Sequence, residues 1–270
     1  MFDRVLVPID GAPRSRDAIA VGRRLARLHG ARLWLVTVAT PDVDDAAAEL
    51  VVQDGLRAAA DPGAVTTIVR GADAAEEIVR IDRAHPGALV CMATRARGAI
   101  GRTLFGSVAH GIIGRSNLGQ VLVGPACDLA DRPIDRIIVC LDGSPEGEDA
   151  LAHGVRWSES TGTPLILVRV VYPLVDPVAR IPPTDAQMSE LGYARRLSAQ
   201  LEAGGHPVSD VTVQHVFPPE ALVDIAERWP TGLLVVASSN AGPAAEFVLG
   251  STANRVVRAS SVPVLVVPRG

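Results

Sequence analysis

The sequence predicts an α/β protein made of two copies of one domain, in which helices cover a parallel sheet. Three observations support this prediction. Residues 9–38 are repeated 132 positions later as residues 141–170. Strand-like and helix-like segments alternate along each copy. Runs such as residues 88–93 are apolar throughout, which is typical of strands that are covered on both faces.

The repeat sets the domain organisation. The Asp-Gly pair at residues 10–11 recurs at residues 142–143. Further along, FGSVAHGIIGRSNLGQVLVGP in the first copy corresponds to LGSTANRVVRASSVPVLVVP in the second. Each copy has the length of one ordinary domain, so we predict domains at residues 1–127 and 134–270. A polar, proline-containing stretch joins them.

The elements of the first copy follow in a regular order. RVLVPI is a strand, and SRDAIAVGRRLARLHG has helical periodicity with a glycine stop at Gly30. RLWLVTV is a strand, DDAAAELVVQDGLRAAA a helix and VTTIVRG a strand. DAAEEIVRIDRAH is a helix that Asp73 can cap, and ALVCMAT is a strand. SVAHGIIGRS is a helix, and QVLVGP is the last strand. This alternation predicts parallel strands joined by crossover helices.

Composition excludes several classes of protein. The net charge of −4 argues against nucleic acid as the main partner. All 26 basic residues are arginine, so the lysine of Walker loops, kinases and Schiff-base enzymes is missing. No apolar run reaches the roughly 18 residues of a membrane helix. The N-terminal segment reads as a strand rather than a signal peptide, so we expect a cytoplasmic protein without a membrane partner.

The three cysteines are predicted to be buried and inert. Cys91 and Cys140 lie in apolar, strand-like runs, and Cys127 stands apart from both. Their spacing matches no zinc motif, so we expect no metal site. No serine–histidine–carboxylate order and no paired carboxylates indicate a catalytic centre.

Two strand ends suggest a binding site. Ligands of open parallel sheets bind beyond the carboxyl ends of the strands, where the strand order reverses. The first strand ends at Asp10, whose carboxylate can accept a hydrogen bond from a ribose hydroxyl or an adenine amine. The fourth ends at an arginine-rich loop that leads to a helix start at residues 106–108, where backbone N–H groups can hold an anion. A turn bond from Asp10 to its own backbone is the alternative reading, as is simple N-capping by Ser107 and Ser251.

Both copies resemble universal stress protein domains. The resemblance rests on VLVPIDGAP and IIVCLDGSP, and on the Gly-Ser pairs followed by a helix and VLVGP or VLVVP. It covers nearly the whole chain and resembles the tandem form found in actinobacteria. It implies two Rossmann-like domains of the adenine nucleotide alpha hydrolase-like type, each a five-stranded parallel sheet of order 3-2-1-4-5. It also implies pairing of the halves through their last strands, as an intramolecular pseudo-dimer, and leaves a homodimer open.

The resemblance predicts a nucleotide site in each half, stronger in the first. In the first half the predicted residues are Pro8, Ile9, Asp10, Val38, Met92, Ala93, Arg95, Ala96, Arg97, Gly106, Ser107 and Val108. In the second half they are Asp142, Val170, Ala237, Asn240, Gly250, Ser251 and Thr252. The implied cofactor is weakly bound ATP, accompanied by Mg²⁺.

The predicted phosphate loops depart from the family pattern. In the ATP-binding branch the loop reads G-x-x-G, nine residues, then G-[ST]. Here the two glycine positions hold Ala93 and Ala96 in the first half, and Ala237 and Asn240 in the second. If the loop needs left-handed backbone there, each alanine costs about 1–2 kcal/mol, or about tenfold in affinity. Restoring both first-half glycines is then expected to raise the affinity for ATP.

The leading functional prediction is a cytoplasmic stress-response module that binds adenine nucleotide, mainly in its first half. The alternative is a nucleotide-free interaction or structural module that has lost the site. An enzyme is the least favoured reading, because the lysine and a catalytic constellation are missing, and slow ATP hydrolysis is the most that it would allow. The sequence does not identify the protein partner.

Overall fold

A computed structural model of the chain describes residues 2–94, 107–113, 115, 119–144, 147–173, 185–240 and 247–267. The first half alternates strand and helix as the sequence predicts. Its strands are β1 (Arg4–Pro8), β2 (Arg32–Ala39), β3 (Val65–Arg70), β4 (Ala88–Ala93) and β5 (Gln120–Val123). Its helices are α1 (Pro13–His29), α2 (Asp45–Ala59), α3 (Ala74–Ala84) and α4 (Ser107–Ile112).

The second half repeats this order and adds a short hairpin. Its strands in the main sheet are β6 (Arg136–Leu141), β7 (Leu165–Val171), β8 (Val208–Gln214), β9 (Gly232–Ala237) and β12 (Val264–Val267). The hairpin pairs β10 (Ser239–Asn240) with β11 (Phe247–Val248). Its helices are α5 (Glu148–Thr161), α6 (Asp185–Ala203), α7 (Pro218–Arg228) and α8 (Ser251–Ala259).

The helix ends follow from local chemistry. Gly30 ends α1 with a φ of 62°, as its position in the sequence predicts. Asp73 caps α3 by accepting hydrogen bonds from two backbone N–H groups of its first turn. The predicted cap of α8 is wrong: Gly250 is its N-cap and Ser251 is the first helical residue.

All ten main strands form one sheet. The order is β3-β2-β1-β4-β5-β12-β9-β6-β7-β8, so each half reads third, second, first, fourth, last. Neighbouring strands within each half are parallel, whereas β5 and β12 meet antiparallel. Val121 and Leu265, which hold equivalent positions in the two halves, lie directly opposite each other. The halves are therefore related by a pseudo-twofold axis through the β5–β12 pair.

The core lies on both faces of this sheet and runs across both halves. One apolar cluster packs beneath α1, α2, α5 and α6, with fully buried members such as Leu25 and Leu167. The other packs beneath α3, α4, α7 and α8, with members such as Ile78 and Val256. Each strand end at the centre of the sheet is thus fixed from above and below.

Side chains from both halves also meet on the α1 side of the sheet. The rings of Phe2 and His29 stack against Trp157 of α5, with centroids 5.4 Å and 4.7 Å from the indole. The linker carboxylate of Asp131 pairs with Arg23 and Arg27 of α1. These contacts hold α1 and the linker against the second half.

Two glycines allow the central strands to approach. Gly119 has a φ of 80°, and a Cβ there would lie 2.6 Å from the carbonyl oxygen of Val266. A Cβ on Gly124 would lie 1.8 Å from the carbonyl oxygen of Val257 at the end of α8. Real Cβ atoms do not come so close to backbone oxygens, so both ends of β5 require glycine.

We predict that Gly124→Ala destabilises the protein by about 2–3 kcal/mol, because β5 and α8 must move apart to admit the methyl group. Urea unfolding measures the loss. Gly63→Ala is the matched control, since its Cβ would make only an ordinary 3.4 Å contact with Asp61. Equal stability of the two variants would contradict the close approach at the centre of the sheet.

Candidate functional site

A cavity of about 390 Å³ opens at the carboxyl ends of β1, β2 and β4 in the first half. β1 pairs with β2 on one side and with β4 on the other, so the order of the strands reverses at this point of the sheet. The volume is within the range of about 300–1,000 Å³ common for small-molecule sites. The lining residues are Pro8, Ile9, Asp10, Ala12, Arg14, Ser15, Val36, Val38, Ala74, Ile78, Met92, Ala93, Thr94, Val108 and Ala109.

The interior of the cavity is mainly aliphatic. Val36 and Val38 line it from β2, Met92 from β4 and Ile78 from α3. All four belong to, or pack against, the apolar cluster on this face of the sheet. Such walls suit a planar, weakly polar group, which is held by shape and by exclusion of water.

Asp10 stands at the rim and makes the turn bond that the sequence left open. Its Oδ1 accepts hydrogen bonds from the backbone N–H of Ala12 at 3.0 Å and from the hydroxyl of Ser15 at 2.6 Å. The side chain is exposed, and no described residue hydrogen-bonds its Oδ2. The turn therefore fixes the carboxylate while leaving one oxygen to accept from a ligand.

Arg14 brings positive charge into the cavity from the first turn of α1. Its Nε donates to the carbonyl oxygen of Thr94 at 3.2 Å, and its second terminal nitrogen donates to that of Val123 at 3.1 Å. The remaining terminal nitrogen pairs with Asp17. The guanidinium thus spans the carboxyl ends of β4 and β5.

The structure corrects the argument about lost glycines. Ala93 is the last residue of β4 and pairs with Val123, and Ala237 pairs with Val267 in the same way. Asn240 pairs with Phe247 in the hairpin. Ala60 is the one described non-glycine residue with a positive φ, so these three positions do not use left-handed backbone. Ala93 lies within the strand that the sequence predicts, so the left-handed penalty does not apply there, and the gain expected from restoring both glycines stays a prediction.

The structure brings together only part of the predicted first-half site. Pro8, Ile9, Asp10, Val38, Met92, Ala93 and Val108 line the cavity. Ser107 begins α4, although its side chain is outside the described part of the chain. Arg95, Ala96, Arg97 and Gly106 also lie outside the described residues.

Sequence reasoning missed several lining residues, and Arg14 is the most consequential. Comparison of the two copies carries a signal for it. Arg14 aligns with Glu146 at the constant offset, a reversal of charge within a closely repeated stretch. Ser15 likewise aligns with Gly147.

In the second half, Asp142 makes a turn bond like that of Asp10. Oδ1 of Asp142 accepts from both the backbone N–H and the hydroxyl of Ser144, at 2.9 Å and 2.6 Å. Leu249 is buried in one apolar cluster with Val168 and Leu222. Of the other predicted residues, Val170 packs against that cluster, and Gly250, Ser251 and Thr252 lie at the start of α8.

Burial suppresses the reactivity of the thiols. It raises the pKa of Cys127 to about 11, against an opposing effect of Arg24, and that of Cys140 to about 12. Burial also raises the pKa of Cys91 well above the usual range of a thiol. All three are free cysteines and stay protonated near neutral pH. Within the described ranges, no three His, Cys, Asp or Glu side chains form a metal-binding group.

We therefore predict that the folded protein reacts slowly with a disulfide reagent at about pH 8, because too little thiolate is present and because Cys91 and Cys127 are buried and Cys140 is half-buried. Absorbance of the released thiol measures the reaction. Denaturation in guanidinium provides the control, where all three cysteines react promptly. A fast-reacting thiol in the folded protein would contradict the assignment of the cysteines to the core.

Comparison with known proteins identifies the family. The model of the universal stress protein family matches residues 1–123 and again residues 133–268. The chain belongs to the universal stress protein family. A universal stress protein of Mycolicibacterium smegmatis is 26% identical over 288 residues, which cover 97% of this chain and 96% of that relative. One from Mycobacterium tuberculosis is 29% identical over 192 residues, 69% of this chain and 63% of the relative.

Solved structures share the tandem fold. A universal stress protein from Archaeoglobus fulgidus superposes with a TM-score of 0.74 at 20% identity, covering 99% of both chains. A putative one from Pseudomonas aeruginosa gives a TM-score of 0.66 at 12% identity, covering 99% of this chain and 94% of that chain. Among the described helices of this universal stress protein, none is long and apolar enough to cross a membrane.

Proposed function

We propose that this tandem universal stress protein is a cytoplasmic stress-response module that binds an adenine nucleotide in its first half. The observation that carries the proposal is the cavity at the carboxyl ends of β1 and β4, with aliphatic walls and a carboxylate at its rim. In this role the protein binds a ligand, and we assign it no reaction.

The cavity offers separate surfaces for a base and a sugar. The aliphatic side chains of Val38, Met92 and Ile78 provide a slot for the faces of adenine. The free oxygen of Asp10 can accept a hydrogen bond from a ribose hydroxyl or from the adenine amine. A base and a sugar bound in this way would lie against rigid elements of the sheet.

The phosphate side of the site belongs to the proposal as well. We assign phosphate contacts to Arg95, Arg97, Gly106 and Ser107, which follow β4 in the sequence. ATP is expected to bind weakly, with Mg²⁺ entering alongside the nucleotide. Mg²⁺ is commonly held by one or two carboxylates together with phosphate oxygens, and Asp10 is the carboxylate that lines this cavity.

The second half is proposed as the weaker site. Glu146 replaces Arg14 there, which puts negative charge where the first half has positive charge. This difference disfavours an anionic ligand.

A second candidate function is a nucleotide-free interaction module. One observation favours it: Tyr172 and Phe217 expose 68% and 59% of their surface beyond the carboxyl ends of β7 and β8. Phe217 occupies the N-cap of α7 without a side-chain hydrogen bond, whereas its first-half counterpart Asp73 caps α3 with two. An exposed aromatic residue in place of a cap is more typical of a contact surface than of a nucleotide site.

We predict that Asp10→Ala weakens adenosine binding by about tenfold, the value of one hydrogen bond to a charged group. Isothermal titration calorimetry measures the affinity. Asp142→Ala is the matched control, because it removes an equivalent turn bond from the second half. Equal effects of both substitutions would argue against a first-half site, and absence of binding to the unmodified protein would favour the interaction module.

A further inference from the structure

We propose that Arg14 binds the phosphate attached directly to the sugar, so that the first-half site takes a nucleoside monophosphate more tightly than the nucleoside. This inference rests on the proposed function and specifies the ligand class of the same site. It depends on Arg14, Asp10 and the described walls of the cavity.

Arg14 has N–H donors available for a ligand. A guanidinium carries five N–H groups. Three are engaged, by the carbonyl oxygens of Thr94 and Val123 and by the carboxylate of Asp17. The other two, one on each terminal nitrogen, have no partner in the part of the chain that the structure describes. Two N–H groups on adjacent nitrogens are the arrangement that binds two oxygens of one phosphate.

The side chain of Arg14 is held rigidly. The three contacts join the first turn of α1 to the ends of β4 and β5 and leave the Arg14 side chain only 28% exposed. An arginine held in this way has already lost most of its rotamer freedom. A ligand therefore gains the charge-assisted hydrogen bonds without the usual cost of ordering the side chain.

Arg14 lies close to the place proposed for the sugar. Asp10 and Arg14 lie on one continuous turn, and Ser15 beside Arg14 donates directly to the Asp10 carboxylate. Asp10 and Arg14 also line the same cavity of about 390 Å³, so the group that accepts from Arg14 shares this small cavity with the group that donates to Asp10. In a nucleotide, the phosphate closest to a ribose hydroxyl is the one bonded to the sugar.

The charge of the cavity lining also favours a phosphate at Arg14. Arg14 is the single cation among the described residues that line the cavity, and its charge is already shared with Asp17. Asp10 adds a negative charge at the rim. The lining therefore supplies one positive charge, which can compensate the phosphate next to the sugar.

The experiment titrates adenosine, AMP and ATP into the full-length protein and its variants by calorimetry. For the unmodified protein, AMP should bind more tightly than adenosine. Arg14→Gln should weaken AMP binding by about 10- to 100-fold and leave adenosine within about threefold, because only AMP has the phosphate. Arg14→Lys should give an intermediate loss, since it keeps the charge but not the paired donors.

Arg16→Gln is the matched control. Arg16 lies on the same turn of α1 but pairs with Asp54 of α2, away from the cavity. It should leave all three affinities unchanged, and thermal unfolding of each variant checks that it is folded. Equal affinities for adenosine and AMP in the unmodified protein, or an equal loss of both in Arg14→Gln, would overturn the role of Arg14 while leaving the adenine site intact. Failure of all three ligands to bind the unmodified protein would overturn the proposed function itself.

Discussion

The antiparallel pairing of β5 with β12 is the constraint on which the rest of this structure depends. All four residues of each strand are buried, so neither could serve as the exposed edge of a separate domain. Their pairing turns two five-stranded sheets into one and fixes both halves in a single orientation. Gly119 and Gly124 permit it by leaving room for the backbone of β12 and α8. The buried amide of Gln120 donates to the carbonyl of Ile112 at the same place, which ties α4 to the central strand.

The shared sheet places two equivalent strand ends in the protein, and the side chains then make them different. The first end joins Asp10, Ser15 and Arg14 around an open cavity. At the second, Asp142 accepts two hydrogen bonds from Ser144, and the sequence position that corresponds to Arg14 holds Glu146. This asymmetry arises from a few substitutions in the sequence after the first strand of each half. A duplicated domain can in this way keep one half for binding and free the other for contacts.

The sequence predicted the features that depend on local pattern. The repeat, the alternation of elements, the glycine end of α1 and the Asp73 cap each arise from neighbouring residues, and the structure has them. The backbone at Ala93 was harder to predict, because the family pattern has a loop glycine at this position, whereas the folded sheet pairs Ala93 with Val123. That pairing removes the left-handed argument at Ala93. The hairpin of β10 and β11 was missed for a similar reason, since only two residue pairs hold it.

Arg14 shows why part of the site escaped prediction. An arginine in the first turn of a helix carries no signal of its own. The carbonyl groups that orient it belong to Thr94 and Val123, which are 80 and 109 residues away in the chain. Only the folded sheet brings them together. By contrast, Asp10 was predicted because it comes two residues after the end of β1. The carboxyl end of the first strand is where the order of strands in such a sheet reverses and where ligands bind.

The central claim is that one sheet carries a single working nucleotide site, in the first half. The most direct test is the stoichiometry of AMP binding to the purified, nucleotide-free protein, measured by calorimetric titration at protein concentrations well above the dissociation constant. The account predicts saturation at one AMP per 270-residue chain. Saturation at two AMP per chain with equal affinities would contradict it, because the substitutions around Asp142 would then have no effect on the second half.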